Sequence, residues 1–212
     1  MIIALESAST DPSLALVEVN GAPIAVDGWT SDGRQASDLL PRLLALLARE
    51  GRALEQATAV AVGTGPGSFT GLRVGMSLAK GLAFGLGVPI VGVPSLAAWL
   101  ADELAAVAAV ARAGAHDAYL LQRGEATPTI IGSQDLARRI GPALVVAPTE
   151  VAGAFGIPLW QPPLRAALAI GEQASQRLAT DPHGDDLESL EPGYLRQPRG
   201  IASPATGSPP WP

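Results

Sequence analysis

The chain has no cysteine among its 212 residues, so disulfides, thiolate metal sites and cysteine nucleophiles are excluded together. Lysine is nearly absent: Lys80 is the only one, and it sits inside an apolar run. A Walker-type phosphate loop closes on Gly-Lys-Ser/Thr, so ATPase chemistry of that type is excluded as well. Histidine occurs twice, at His116 and His183, far apart and without a third ligand at helical spacing, which argues against a metal-dependent peptidase. Long hydrophobic runs are missing. The apolar stretch 75–93 is interrupted by Lys80, glycines and a proline, and residues 1–5 lack the basic flank of a secretion signal. No membrane span and a cytoplasmic location are therefore expected. Basic charge is also in deficit: a net charge of −6 opposes unaided binding to a polyphosphate, so any contact with nucleic acid is expected to be indirect.

What the chain does have is 48% hydrophobic residues, enough for a sizeable core, and one unusual stretch. Residues 63–76 form a glycine-rich loop that runs straight into an apolar helix. The apolar segment 59–63 before it suits a strand buried on both faces, and Ser68 or Thr70 can cap the helix that follows. Two readings of the loop are open. It is a tight strand-to-helix turn, or it is an anion cradle built from Gly65, Gly67, Ser68 and Thr70. Within the helix, Gly71, Gly75, Ala79 and Ala83 recur every four residues and share one row. Glycine inside a helix costs about 1 kcal/mol relative to alanine, so the row implies close approach of a neighbour. That neighbour belongs to the same chain or to a partner.

Hydrophobic periodicity places strands at 1–5, 14–19 and 23–30, with the turn signal Asn20-Gly21 between the last two. A helix follows from Ser37 or Asp38, with Leu39, Leu40, Leu43, Leu44 and Leu47 on one face, Pro41 in its first turn and Gly51 as its stop. Then come the strand ending at Gly63, the small-residue helix, a strand at 89–93, and a helix capped by Ser95. The order βββαβαβα is that of one lobe of the actin, sugar kinase and Hsp70 superfamily. A weaker echo supplies a second lobe: strands at 107–111, 119–123 and 127–131, a helix at 134–140, a strand at 144–147 and a helix at 164–179. The expected architecture is a two-lobed α/β, actin-like (ASKHA, RNase H-like) fold with a reduced second lobe. Residues 1–105 form the first lobe, 106–199 the second, and 200–212 a disordered tail.

Residues 65–76 (Gly-Pro-Gly-Ser-Phe-Thr-Gly-Leu-Arg-Val-Gly-Met) together with Gly193-Tyr194-Leu195-Arg196-Gln197-Pro198 resemble the signatures of the bacterial TsaB (YeaZ) family. The resemblance implies a non-catalytic subunit that pairs with the transferase TsaD, with the ATPase TsaE joining them, to make threonylcarbamoyladenosine at adenosine 37 of tRNA. It also implies that ATP is used by the complex, with no cofactor or metal assigned to this chain, and that tRNA is reached only through the complex. The pairing surface, used for TsaD or for a homodimer, would be the two first-lobe helices. Leu39, Leu40, Leu43 and Leu47 come from one, and Gly71, Leu72, Arg73, Gly75, Ala79 and Ala83 from the other, with Arg73 as an intersubunit salt-bridge candidate. The chain departs from the family pattern at the end of the first strand, where Glu6-Ser7-Ala8-Ser9 replaces Asp-Thr-Ser, and near the first helix, where Arg34 or Gln35 stands for a histidine. A rival class is a stand-alone phosphotransferase, for which Ser7, Ser9, Thr10 and Asp11 would line the phosphate hairpin. That turn has no glycine to admit a phosphate.

Overall fold

The computed structural model describes residues 1–193; the closing Tyr-Leu-Arg element and the tail at 200–212 lie outside the described residues. Strand β1 (Ile2–Glu6), β2 (Ser13–Val17) and β3 (Pro23–Gly28) form an antiparallel meander. The β2–β3 turn closes with the Gly21 amide donating to Glu18 O at 2.9 Å, Gly21 alone taking positive φ (89°), and the Ala22 amide donating to Asn20 Oδ1 at 3.0 Å. Helix α1 (Gln35–Arg49), a short 3-10 turn (Leu54–Gln56), strand β4 (Ala59–Gly63), helix α2 (Phe69–Leu86), strand β5 (Ile90–Val93) and helix α3 (Ser95–Asp102) complete the first half. The sheet order is β3-β2-β1-β4-β5, with β4 and β5 parallel to β1.

The second half repeats that plan. Strands β6 (Ala108–Arg112), β7 (Asp117–Gln122) and β8 (Thr129–Gly132) form a meander. Helix α4 (Ser133–Ile140), β9 (Val145–Val146), helix α5 (Thr149–Phe155), β10 (Trp160–Gln161) and helix α6 (Ala166–Thr180) follow. The sheet order β10-β9-β6-β7-β8 is the same 3-2-1-4-5 arrangement, with β9 and β10 cut to two residues each. This is the two-lobed actin-like α/β fold, with the second lobe reduced.

The lobes exchange their last helices. Helix α3 follows the first sheet in sequence but sets Leu96, Trp99 and Leu100 among Ala109, Ala111, Tyr119, Leu121 and Val146 of the second. Helix α6 follows the second sheet but packs Ala167, Ile170 and Ala174 against Ile2, Ala4, Ala15, Val17 and Ala59 of the first. The helix expected with residues 106–199 is therefore part of the first lobe's core. The two faces of the first sheet differ to match. Ile3, Leu5, Leu14, Leu16, Val60 and Val62 meet the bulky sides of α1 and α2, while the small residues of the other face let α6 come close. A methyl at Gly171 would sit 3.4 Å from Ala4 Cβ and press further into Val17.

Several boundaries move for local reasons. Helix α1 starts at Gln35, ahead of Ser37, because the buried Gln35 amide donates to Ser9 O at 3.1 Å and Ser31 Oγ takes the Arg34 amide at 3.1 Å. Pro41 consequently lies in the second turn, on the exposed side. Ser95 does not cap α3: Pro94 precedes the helix, and Ser95 Oγ accepts the Gly65 amide at 3.0 Å instead. Helix α5 and strand β10 carry too little periodicity in seven and two residues to be read from sequence.

Candidate partner interface and interlobe junction

The glycine-rich loop packs against the end of β1. Ser68 Oγ caps α2 by accepting the Gly71 amide at 3.2 Å, the Ser68 amide donates to Ala8 O at 2.6 Å, and the Gly65 amide goes to Ser95. Gly65 takes φ 91°, and a methyl at Gly67 would collide with Ala8, 2.8 Å from its Cβ. Three loop amides are thus closed on the chain itself. Of the two readings of this loop, close packing of strand and helix is the one these contacts support, while Thr70 stands exposed beside it.

Glu6, the residue with which the chain departs from the family's Asp-Thr-Ser pattern, is a buried acid. It ends β1 fully buried, with Oε1 accepting the Ala8 amide at 2.5 Å. Oε2 has no partner at hydrogen-bonding geometry among the described residues, although Ser95 and Trp99 lie beside it. Burial pushes the carboxyl above its usual range, opposed by the Ala8 amide first and then by Ser95, Trp99 and the Ser7 amide. Glu6 is thus a fully buried acid with its own strand, the glycine-rich loop's start at Gly63 and α3 packed around it.

Asp11, also fully buried, closes the junction between lobes. Its Oδ2 accepts the Thr149 amide at 2.6 Å at the start of α5, and its Oδ1 accepts Thr30 Oγ1 at 2.6 Å and Thr149 Oγ1 at 3.3 Å. The β1–β2 turn, where a phosphotransferase would hold phosphate, is here bonded to the second lobe through a carboxylate. Among the described residues no three His, Asp or Glu side chains converge as a metal site requires, and no helix is long and apolar enough to cross a membrane.

The row Gly71, Gly75, Ala79 and Ala83 faces inward. A methyl at Gly71 would run into Ser7 O, and one at Gly75 into Ser7 Oγ, whose hydroxyl donates to Gly71 O at 2.9 Å. Ala79 and Ala83 lie in the core with Leu39, Leu43 and Leu47, and Leu72 is buried against Ala8 and Trp99. The row therefore serves approach of α2 to the sheet. Eight of the ten residues expected at a partner surface are buried within this chain, which leaves Leu40 and Arg73 on the outside.

Those two flank a real surface feature. Ala36, Leu39, Leu40, Arg73, Val74, Ser77 and Leu78 line a shallow groove of about 390 Å³ between α1 and α2. Leu40 is 39% and Leu44 46% exposed, one turn apart on α1. Across the groove the Arg73 guanidinium lies 3.9 Å from the centroid of the Phe69 ring. Phe84, 79% exposed, stands at the far end of α2. Phe69, Ser77 and Phe84 escape sequence reasoning because the inward row dominates the periodicity of α2. Sequence periodicity sets Leu40 and Leu44 on one face with Leu39, Leu43 and Leu47, but both stand exposed, and the leucines that α1 buries are Leu39, Leu43, Leu46 and Leu47.

Comparison with known proteins agrees with this architecture. The family model for TsaD, tRNA N6-adenosine threonylcarbamoyltransferase, matches residues 34–147. An uncharacterized protein of Mycobacterium tuberculosis (strain H37Rv) is 30% identical over 201 residues, 93% of this chain and 92% of its own length. The tRNA threonylcarbamoyladenosine biosynthesis protein TsaB of Haemophilus influenzae is 48% identical over 60 residues, 28% of this chain and 25% of the relative. The structure of YeaZ from Pseudomonas aeruginosa superimposes with a TM-score of 0.67 at 25% identity, covering 92% of this chain and 99% of that one. With the glycine-rich signature, the doubled 3-2-1-4-5 sheets and full-length similarity in hand, the chain belongs to the TsaB (YeaZ) family.

Proposed function

We propose that this chain acts in the biosynthesis of threonylcarbamoyladenosine in tRNA as a non-catalytic subunit, docking a TsaD-type transferase on the outer face of α1 and α2. The observation that carries the reading is the apolar groove between α1 and α2, lined by Leu40, Arg73, Val74 and Leu78, with Leu44 and Phe69 exposed on the same two helices. An arginine stacked on an aromatic ring is the kind of residue pair enriched at interface centres. Helix α2 is held rigidly behind that face by its inward glycines, so little ordering cost attends docking. The same face serves a homodimer when the transferase is absent, and ATP and TsaE act on the assembled pair.

The test is light scattering during size-exclusion chromatography of this chain, alone and mixed with the TsaD of the same organism, beside the variant Leu40→Glu. Parent protein should form a one-to-one complex, and the buried charge should weaken it at least about tenfold while leaving the fold intact. Independent elution of the two parent proteins, or a Leu40→Glu protein that pairs with parental affinity, defeats the proposal.

A further inference from the structure

Strand β5 is an edge of the first sheet, and no further strand among the described residues pairs with its outward backbone groups. They are nonetheless taken. The Asp185 amide donates to Ile90 O at 2.8 Å, Asp185 Oδ2 accepts the Gly92 amide at 2.7 Å, and Gly92 O accepts Arg177 at 2.9 Å. One residue thus stands in for a strand, its main chain filling one position of the ladder and its carboxylate the next. Arg177 holds that carboxylate with two hydrogen bonds, of 2.6 and 3.2 Å. From there the chain crosses α2, where Lys80 Nζ donates to Glu188 O at 3.1 Å and Leu187 and Leu190 join the core. It reaches the glycine-rich loop where the Gly193 amide donates to Thr64 O at 2.7 Å.

Two glycines are shaped to this path. Gly184 turns at φ 68°, and a methyl there would meet Ile90 O. At Gly92 a methyl would stand 2.7 Å from both Leu190 Cδ1 and Thr64 Cγ2. Asp185, which opens the acidic run 185–191, is thus a half-buried acceptor at the sheet edge.

We infer that residues 184–193 are an edge-covering strap, locked by the Arg177–Asp185 pair, that prevents the first sheet from being extended by a strand of another copy. An uncovered edge strand is a template for pairing, and here the cover is made of one bridge and one ion pair. The inference is independent of the docking face proposed above.

The experiment compares the full chain with Arg177→Ala/Asp185→Ala and, separately, with Gly92→Val, which displaces Leu190 without removing charge. Amide hydrogen exchange at Gly92 should quicken roughly tenfold or more in the double variant, while amides of β1 keep their protection. Both variants should self-associate beyond the parent's state in light scattering, whether or not TsaD still binds. Unchanged Gly92 exchange overturns the inference, and so does a folded variant of either kind that keeps the parent's oligomeric state. Loss of TsaD binding without new self-association likewise overturns the edge-guard role while leaving the docking face standing.

Discussion

Alanine at Gly75 and alanine at Gly81 should shift stability in opposite directions, although both sit in α2 and both gain about 0.8–1 kcal/mol of helix propensity. Gly81 is exposed with nothing within 4 Å of an added methyl, so Gly81→Ala should stabilise by most of that gain, about 0.5–1 kcal/mol. At Gly75 the methyl takes the place of Ser7 Oγ. Displacing that hydroxyl breaks its bond to Gly71 O and leaves a buried donor unsatisfied, which costs about 1–3 kcal/mol. Overpacking of the helix against β1 adds about 1 kcal/mol or more. Net of propensity, Gly75→Ala should destabilise by roughly 1–3 kcal/mol. For a chain of this length each kcal/mol moves Tm by about 2–4 °C, so thermal and urea unfolding separate the two variants easily. A third variant identifies the cause. Once Ser7 is alanine, the Gly75 methyl faces only a Cβ at 3.2 Å, a contact relieved by a shift of a few tenths of an ångström. Gly75→Ala in a Ser7→Ala background should therefore cost at least about 1 kcal/mol less than in the parent. If Gly75→Ala proves as stabilising as Gly81→Ala, the row does not seat α2 on the sheet and the reasoning fails.

Two further perturbations address the buried acids. Because burial raises the folded pKa of Glu6 above its unfolded value, the unfolded chain releases this proton first as pH rises, and stability from this group is lost between the unfolded and folded pKa values. Glu6→Gln should match the parent below pH 4 and become the more stable of the two toward pH 7, as measured by urea midpoints; a constant offset at every pH refutes the assignment. Asp11→Ala removes three hydrogen bonds and strands Thr30 and the Thr149 amide, and should destabilise by about 2–4 kcal/mol with faster exchange at Thr149. Unaltered Thr149 exchange would show that Asp11 does not join the lobes.

Topology was legible in the sequence because its signals are local. Asn20-Gly21, Gly51, the apolar run at 59–63 and Ser68 each mark a turn, a stop, a buried strand or a cap by their own chemistry. What escaped depends on contacts distant in sequence. The start of α1 is decided by Gln35 reaching Ser9, and Ser95 leaves its own helix to hold Gly65. The helix at 164–179 was readable as a helix, but its periodicity carries no record of which sheet it covers. The exchange of α3 and α6 arises from size matching: Trp99 and Leu100 fill one lobe, and the alanines of α6 fit only the shallow alanine-rich face of the other.

The site reverses the usual reading of a small-residue row. A four-residue glycine and alanine repeat says only that something approaches closely, and spacing cannot name the neighbour. The structure assigns the row to β1 through Ser7, which turns the opposite side of α2 outward. Arg73, Ser77, Gly81 and Phe84 stand on that outer side. The inward row of glycines thus decides which residues of α2 face outward, Arg73 and Phe84 among them. The closer the helix sits to the sheet, the fewer rotamers and tilts it retains, and the less freedom the outer face loses when something docks there. Substitution of an inward glycine therefore tests the fold, and only the outward residues, Leu40 and its neighbours across the groove, test recognition.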